Sequence, residues 1–315
     1  MESQKIVFGA RGSALALAQT RTVIRELEER HPHLVCSLEI ITTTGDQIQH
    51  VPLTGMSTQG VFVSELEQAL LNGKIDVAVH SLKDLPTKQP QNLCIAATPP
   101  REDPRDVLFS KNNRNLAELE KGFILGTSSA RRGAQIKHLR PDALLKDIRG
   151  NVDTRMKKVV DGQYDATILA AAGIVRLGLT ERVSYYFGVD EMLPAPAQGA
   201  LALEIAGDRP DLMEILQTVE CPQTRAATIS ERTVLETLGS GCSLPLAAYA
   251  EIRSGRLLLK ARVVSADGEQ VVEAKCEGRV EDAAVIGRTV GNNLIKKGAA
   301  EIIETAESHA TPGAS

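Results

Sequence analysis

VFGARGSALALAQ at residues 7–19 and FILGTSSARRGAQIKHL at residues 123–139 share one order: apolar run, glycine, small hydroxyl residue, helical pattern. GKIDVAVHSLKD (73–84) is echoed in turn by GQYDATILAAAG (162–173), with Asp76 and Asp165 each three residues after a glycine. A β-rich run feeding a helix, then repeated, indicates α/β construction with largely parallel sheets. The repetition predicts two similar α/β domains facing one cleft.

Working outward, LVCSLEIITT reads as a strand, VFVSELEQALLNG as a helix and LCIAAT as a strand that runs into the hinge PPREDPRD. MLPAPAQGA, broken by two prolines and a glycine, reads as a second crossing, after which ALALEIA and DLMEILQTV return a strand and a helix to the first domain. From residue 222 the order changes. A helix, PQTRAATISERTVLETLG, precedes LAAYAEIRSGRLLLKARVVSADGEQVVEAKCEG, three strands joined by Ser-Gly and Asp-Gly turns, and EDAAVIGRTVGNNLIKKG closes a small α+β domain. The expected division is 1–99 with 200–217, 105–193, and 222–315; ETAESHATPGAS at the end reads as a loose tail.

Composition narrows the partners. Aromatic residues make up 3% with no Trp, and the net charge is −4, so neither stacking platforms nor a global basic field favour nucleic acid. MESQKIVFGARG reads as neither a signal peptide nor an anchor, and no run reaches the roughly 18 apolar residues of a membrane span. The five cysteines show no Cys-x-x-Cys spacing, which argues for a reducing cytoplasm and against disulfides or zinc. Cys36, Cys94 and Cys276 lie in strand-like runs and read as packing residues, and Cys221 precedes a proline at a helix start. Cys242, in GSGCSLP (239–245), stands on a flexible turn that packing does not explain.

The strand-to-helix turns GARGSA and GTSSARR could hold anions on unpaired helix N–H groups, with Thr127, Ser128 and Ser129 adding hydroxyls and Arg131 and Arg132 adding charge. The plainer reading is that the serines cap helices and the arginines face water. Arg149, Arg155 and Arg176 also follow predicted strands or begin helices, where open α/β sheets bind ligands. With Arg11, Arg131 and Arg132, they make six guanidinium groups whose forks match a polycarboxylate, or else a phosphate. In HSLKDLP, Lys83 and Asp84 stand where a strand opens into a loop, so Asp84 could stabilise cations and shuttle protons; the bland alternative is a surface ion pair. His80 reads as a strand-end structural group. Cys242 has no histidine base near it in sequence, so it reads as an attachment point and not a protease-like nucleophile.

Together these residues resemble the porphobilinogen deaminase (hydroxymethylbilane synthase) family of tetrapyrrole biosynthesis. The resemblance runs in order through TTGD (43–46), GVFVSELE (60–67), DVAVHSLKDLP (76–86), REDPRD (101–106), LGTSSARR (125–132), IRGNVDTR (148–155), ILAAAG (168–173), APAQGAL (195–201), and ER (231–232) leading to GCSLP. It implies three domains: two periplasmic-binding-protein-like α/β domains around a cleft and a small α+β C-terminal domain. It implies a dipyrromethane cofactor held by Cys242 through a thioether, onto which four porphobilinogen molecules are deaminated and joined before hydroxymethylbilane is released. Asp84 matches the catalytic acid/base. Ser81, Lys83, Thr127, Ser129, Arg131, Arg132 and Gly173 match cofactor-binding positions, and Arg11, Ser13, Arg149, Arg155, Arg176 and Gln198 match substrate-binding ones. The resemblance further implies a monomer acting in the cytoplasm on a small molecule, with no nucleic acid, membrane or metal.

Gln59, Ala206, Ser240 and Leu244 depart from the usual pattern without removing a catalytic role. Two other classes compete with the transferase. A non-catalytic two-lobed anion-binding protein would have no use for Asp84 or Cys242, and a cysteine hydrolase lacks a histidine partner.

Overall fold

The computed structural model describes residues 4–42, 64–239 and 244–310, the last four of these by backbone alone. Cys242, Gln59, Ser240, the stretch 43–46, the start of GVFVSELE and residues 311–315 lie outside the described residues. The chain runs β1 (Gln4–Ala10), α1 (Ala14–Arg30), β2 (Leu34–Ile40), α2 (Ser64–Leu71), β3 (Val77–Ser81), β4 (Leu93–Ala97), β5 (Asp106–Ser110) and β6 (Ile124–Gly126). It continues with α3 (Ala130–Leu139), β7 (Leu144–Lys146), α4 (Val152–Val160), β8 (Ala166–Ala170), α5 (Ala171–Arg176), β9 (Tyr185–Tyr186), β10 (Leu201–Ala206) and α6 (Pro210–Gln217). Last come α7 (Pro222–Thr237), β11 (Leu246–Arg253), β12 (Arg256–Val264), β13 (Val271–Arg279), α8 (Ala283–Lys296) and α9 (Ala299–Ala310).

The chain divides into two compact units, Met1–Glu102 with Ala200–Arg225, and Asp103–Gly199 with Ala226–Ser315. The first holds a sheet of order β2-β1-β3-β10-β4 and the second a sheet of order β7-β6-β8-β5-β9. In both, the first three strands are parallel and the fourth is antiparallel to its neighbours. The second unit also holds the antiparallel meander β11-β12-β13, covered by α8 and α9. This is the α/β architecture with a small C-terminal α+β part that the sequence implies.

The repeat extends to single hydrogen bonds. Asp76 accepts from the Val7 N–H at 2.8 Å, and Asp165 accepts from the Ile124 N–H at 2.7 Å. Each aspartate also returns its own N–H to the carbonyl of the same residue, Val7 or Ile124. Each carboxylate thereby fixes the start of its central strand beside the next parallel one. The glycine two residues on is equally constrained: a Cβ on Gly9 would collide with Ile75, and one on Gly126 would lie 2.9 Å from both Ile148 and Tyr164. Ser13 and Ser129 then cap α1 and α3, accepting from Ala16 and Arg132 N–H groups.

The cores follow the periodicities that define the elements. α1 buries Gln19, Thr20, Val23 and Leu27 at helical spacing, and Val23 and Leu27 pack with Ile6, Phe8, Val77 and Val79 of the sheet. β12 buries Leu257, Leu259, Ala261 and Val263 in alternation, as a sheet with one covered face should, and Val264 is buried as well where the strand ends. The tail differs from its expectation. Residues 304–310 continue the helix α9, because Ala299, Ile302 and Ile303 recur at helical spacing and are buried in the C-terminal core. Small polar composition in the last turns did not outweigh that anchored first half. Cys36, Cys94 and Cys276 pack half-buried against the cores, as expected, and burial followed by the Glu28 charge pushes the Cys36 thiol up to about 11.

Replacing Gly126 by alanine should cost about 1–3 kcal/mol in urea unfolding because two side chains must move together. Gly12→Ala, whose Cβ meets only Ile40 at 3.5 Å, should change stability by less than about 0.5 kcal/mol. Ile302→Ala should cost about 2–4 kcal/mol in urea unfolding, because its side chain is buried in the C-terminal core; an unmoved midpoint would mean that α9 is not anchored there.

Candidate functional site

In the second unit, β6, β7 and β8 run parallel, so the segments following them emerge at one sheet edge. Thr127 and Ser129 follow β6, Arg149 follows β7, and Gly173 and Arg176 lie in α5 after β8. β5 runs the other way, and its first residue, Asp106, is in register with Ala170, the last of β8. Antiparallel sense therefore delivers an acid to the edge where the parallel strands end. A charged residue at the head of a strand buried along its whole length must find partners there.

It finds two. Asp106 Oδ2 accepts from Arg131 Nη1 at 2.7 Å, and Oδ1 accepts from Arg132 Nη2 at 2.7 Å and Nε at 3.0 Å. Gln198 Nε2 donates to the same Oδ1 at 3.0 Å and to the Pro104 carbonyl at 2.9 Å. Arg131 also donates to the Leu193 carbonyl and Arg132 to that of Ile168. Neither guanidinium faces water: their side chains are 6% and 9% exposed and Asp106 is fully buried. Burial alone would raise the Asp106 carboxyl, but the charges of Arg131 and Arg132 outweigh it and hold the group well below the usual carboxylate range. Two cations against one anion leave this buried cluster with a net positive charge.

The neighbouring groups are polar and oriented. The Thr127 hydroxyl accepts from the Ser129 N–H, and the Ser129 hydroxyl accepts from the Arg132 N–H, so each keeps its own hydrogen to donate. Arg176 Nη2 donates to the Gly199 carbonyl at 2.8 Å, and Arg155 Nε to the Gly150 carbonyl at 2.7 Å; Arg149 is exposed and Gly173 buried. The crossing that carries Gln198 is itself fixed. Ala197 has φ of 61°, and its N–H donates to the buried carboxylate of Glu231 on α7, which also accepts from Ala250 of β11.

In the first unit, β1 and β3 are parallel and end at the corresponding edge. Arg11 and Ser13 follow β1; Ser81 ends β3, and a 3-10 turn, Leu82–Asp84, carries Lys83 and Asp84. Leu82 N–H donates to the Ala200 carbonyl, Ser81 Oγ accepts from Gln19 Nε2 at 2.9 Å, and the Asp84 carboxylate is exposed. His80 is buried against Glu204 at 3.0 Å, a structural pair as its strand-end position suggested. No group of three or more metal-ligating side chains occurs among the described residues.

The structure thus gathers Thr127, Ser129, Arg131, Arg132, Gly173, Arg149, Arg176 and Gln198 at or next to one sheet edge of the second unit, with Arg155 in the helix after β7. Arg11, Ser13, Ser81, Lys83 and Asp84 share an edge of the first. Cys242 lies outside the described residues. Sequence reasoning passed over Asp106, which closes the hinge-like REDPRD; the available signal was an acid leading directly into the apolar run Val107–Phe109. A donor set of guanidiniums and hydroxyls with net positive charge suits a ligand bearing several carboxylates, as a dipyrromethane does.

Comparison with known proteins agrees. A family model described as porphobilinogen deaminase, dipyromethane cofactor binding domain, matches residues 6–214, and the C-terminal domain model of the same family matches 226–296. Porphobilinogen deaminases from Desulforudis audaxviator and Chromobacterium violaceum are 45% and 44% identical, each alignment covering 95% of this chain and 97% of the relative. That from Thermus thermophilus is 42% identical, covering 95% of this chain and 98% of its own. Among solved structures, the methionine binding protein MetQ is 11% identical with a TM-score of 0.44, covering 71% of this chain and 90% of its own, and carries no functional argument. With matches over nearly its whole length, the chain belongs to the porphobilinogen deaminase family.

Proposed function

We propose that this chain is the transferase that deaminates porphobilinogen and joins four units head to tail onto a covalently held dipyrromethane, releasing hydroxymethylbilane by hydrolysis. The strongest support is the cationic sheet edge of the second unit, where guanidiniums and hydroxyls are fixed by backbone and carboxylate bonds. Each substrate pyrrole carries an acetate and a propionate, so a growing chain needs many such anchors. When bound, the dipyrromethane supplies the pyrrole end to which substrate is joined. Cys242 would hold it by a thioether, and Ser81, Lys83, Thr127, Ser129, Arg131, Arg132 and Gly173 match the family's cofactor-binding positions.

The other residues act on substrate. Arg11, Ser13, Arg149, Arg155 and Arg176 bind its acidic arms and orient the aminomethyl group, while Gln198, fully buried with its amide N–H groups on Asp106 and the Pro104 carbonyl, supports that edge from behind and does not grip the arms itself. Asp84 gives a proton to the departing amine, offsets the positive charge left on the substrate pyrrole, and takes up the ring proton once the new bond has formed. Its exposed position at the end of a strand fits a group that must meet successive substrates. We further infer the three-domain division at 1–99 with 200–217, 105–193 and 222–315, and a cytoplasmic monomer that acts without nucleic acid or metal. No helix among the described residues is long and apolar enough to cross a membrane. The competing anion receptor leaves the acid/base position of Asp84 without a purpose.

Asp84→Asn should keep the fold and the bound pyrroles yet lower ammonia release from porphobilinogen by at least about a hundredfold. Wild-type release by that variant would remove Asp84 from the reaction.

A further inference from the structure

Arg131 and Arg132 cannot hold their places alone. Two guanidiniums this deeply buried repel each other, and each carries a large desolvation cost that only a shared anion offsets. Asp106 is that anion, and its geometry does more than neutralise. Arg132 is fixed in plane by Nε and Nη2 on Asp106 Oδ1 and Nη1 on the Ile168 carbonyl, while Arg131 Nη1 bridges Asp106 Oδ2 and the Leu193 carbonyl. Gln198 brings the crossing segment onto the same oxygen as Arg132.

We propose that Asp106 is a positioning residue for carboxylate binding: it sets the two guanidiniums in one orientation and reduces their joint charge from two to one. This rests on the assignment of Arg131 and Arg132 to the dipyrromethane carboxylates. An acidic ligand then meets donors already aimed, and the ordering cost has been met during folding. Without Asp106 the same arginines separate, each seeking a new counter-ion, and the ligand must order them itself. The role is distinct from that of Asp84, because Asp106 is enclosed and touches ligand only through the arginines.

The test uses full-length protein produced in a host unable to make porphobilinogen, then incubated with porphobilinogen at a range of concentrations while intact mass follows the gain of pyrrole units. Circular dichroism gives the folded fraction. For folded Asp106→Asn, the half-saturating porphobilinogen concentration for mass gain should rise at least about tenfold. A merely structural loss would lower the amount of loadable protein and leave that concentration unchanged. Should Asp106→Asn fail to fold, Asp106→Glu, which keeps the charge but displaces it by one methylene, should show a rise of about threefold or more. A half-saturating concentration equal to wild type in the folded variant overturns the positioning role while leaving the family activity intact. Failure of the wild-type protein to gain any mass overturns the site assignment, and the role of Asp106 with it.

Discussion

One buried carboxylate shared by two guanidiniums organises the second unit. Asp106 reaches Arg131 and Arg132 because β5 runs against its parallel neighbours, so that its first residue arrives where their last residues leave. Were β5 parallel, the acid would lie at the far edge and the arginines would be buried without an anion, which costs several kcal/mol. Strand sense, and not helix propensity, therefore decides whether this edge can be cationic and dry at once.

The first unit has the same strand order but a different use for it. There the residue corresponding to Asp106 is Leu201, in register with Ser81, and the edge presents Lys83 and Asp84 on a short 3-10 turn. The two like scaffolds, each locked by an aspartate just before its central strand, thus differ at the strand ends. One copy carries a buried cationic cluster suited to holding acidic groups; the other carries an exposed carboxylate suited to proton transfer. That division of labour follows from open α/β sheets, whose strand ends tolerate substitution because the core lies elsewhere.

Much of this was legible from residues alone. The duplicated order of strand, glycine, hydroxyl and helix predicted two like sheets, and Asp76 and Asp165 proved to be equivalent down to the N–H they accept. The meander after residue 245 was legible because Ser-Gly and Asp-Gly turns punctuate its three β-rich runs. Three features were not. Asp106 lies 25, 26 and 92 residues from its partners, and its neighbours Glu102 and Asp103 disguise it as hinge charge; Asp103 indeed bonds locally to Arg105. α9 was hidden by a polar second half. The role of Glu231 depends on Ala197 taking a left-handed backbone, a conformation no alanine announces.

The central claim is that this positive edge serves an acidic oligomer tethered by one thiol. Intact mass of the protein as purified from a host that makes porphobilinogen, followed by peptide mapping, tests it most directly. The account predicts a molecule heavier than its sequence by two linked pyrrole units, with the added mass on the peptide containing Cys242. A mass equal to the bare chain, or an adduct on any other residue, would contradict it.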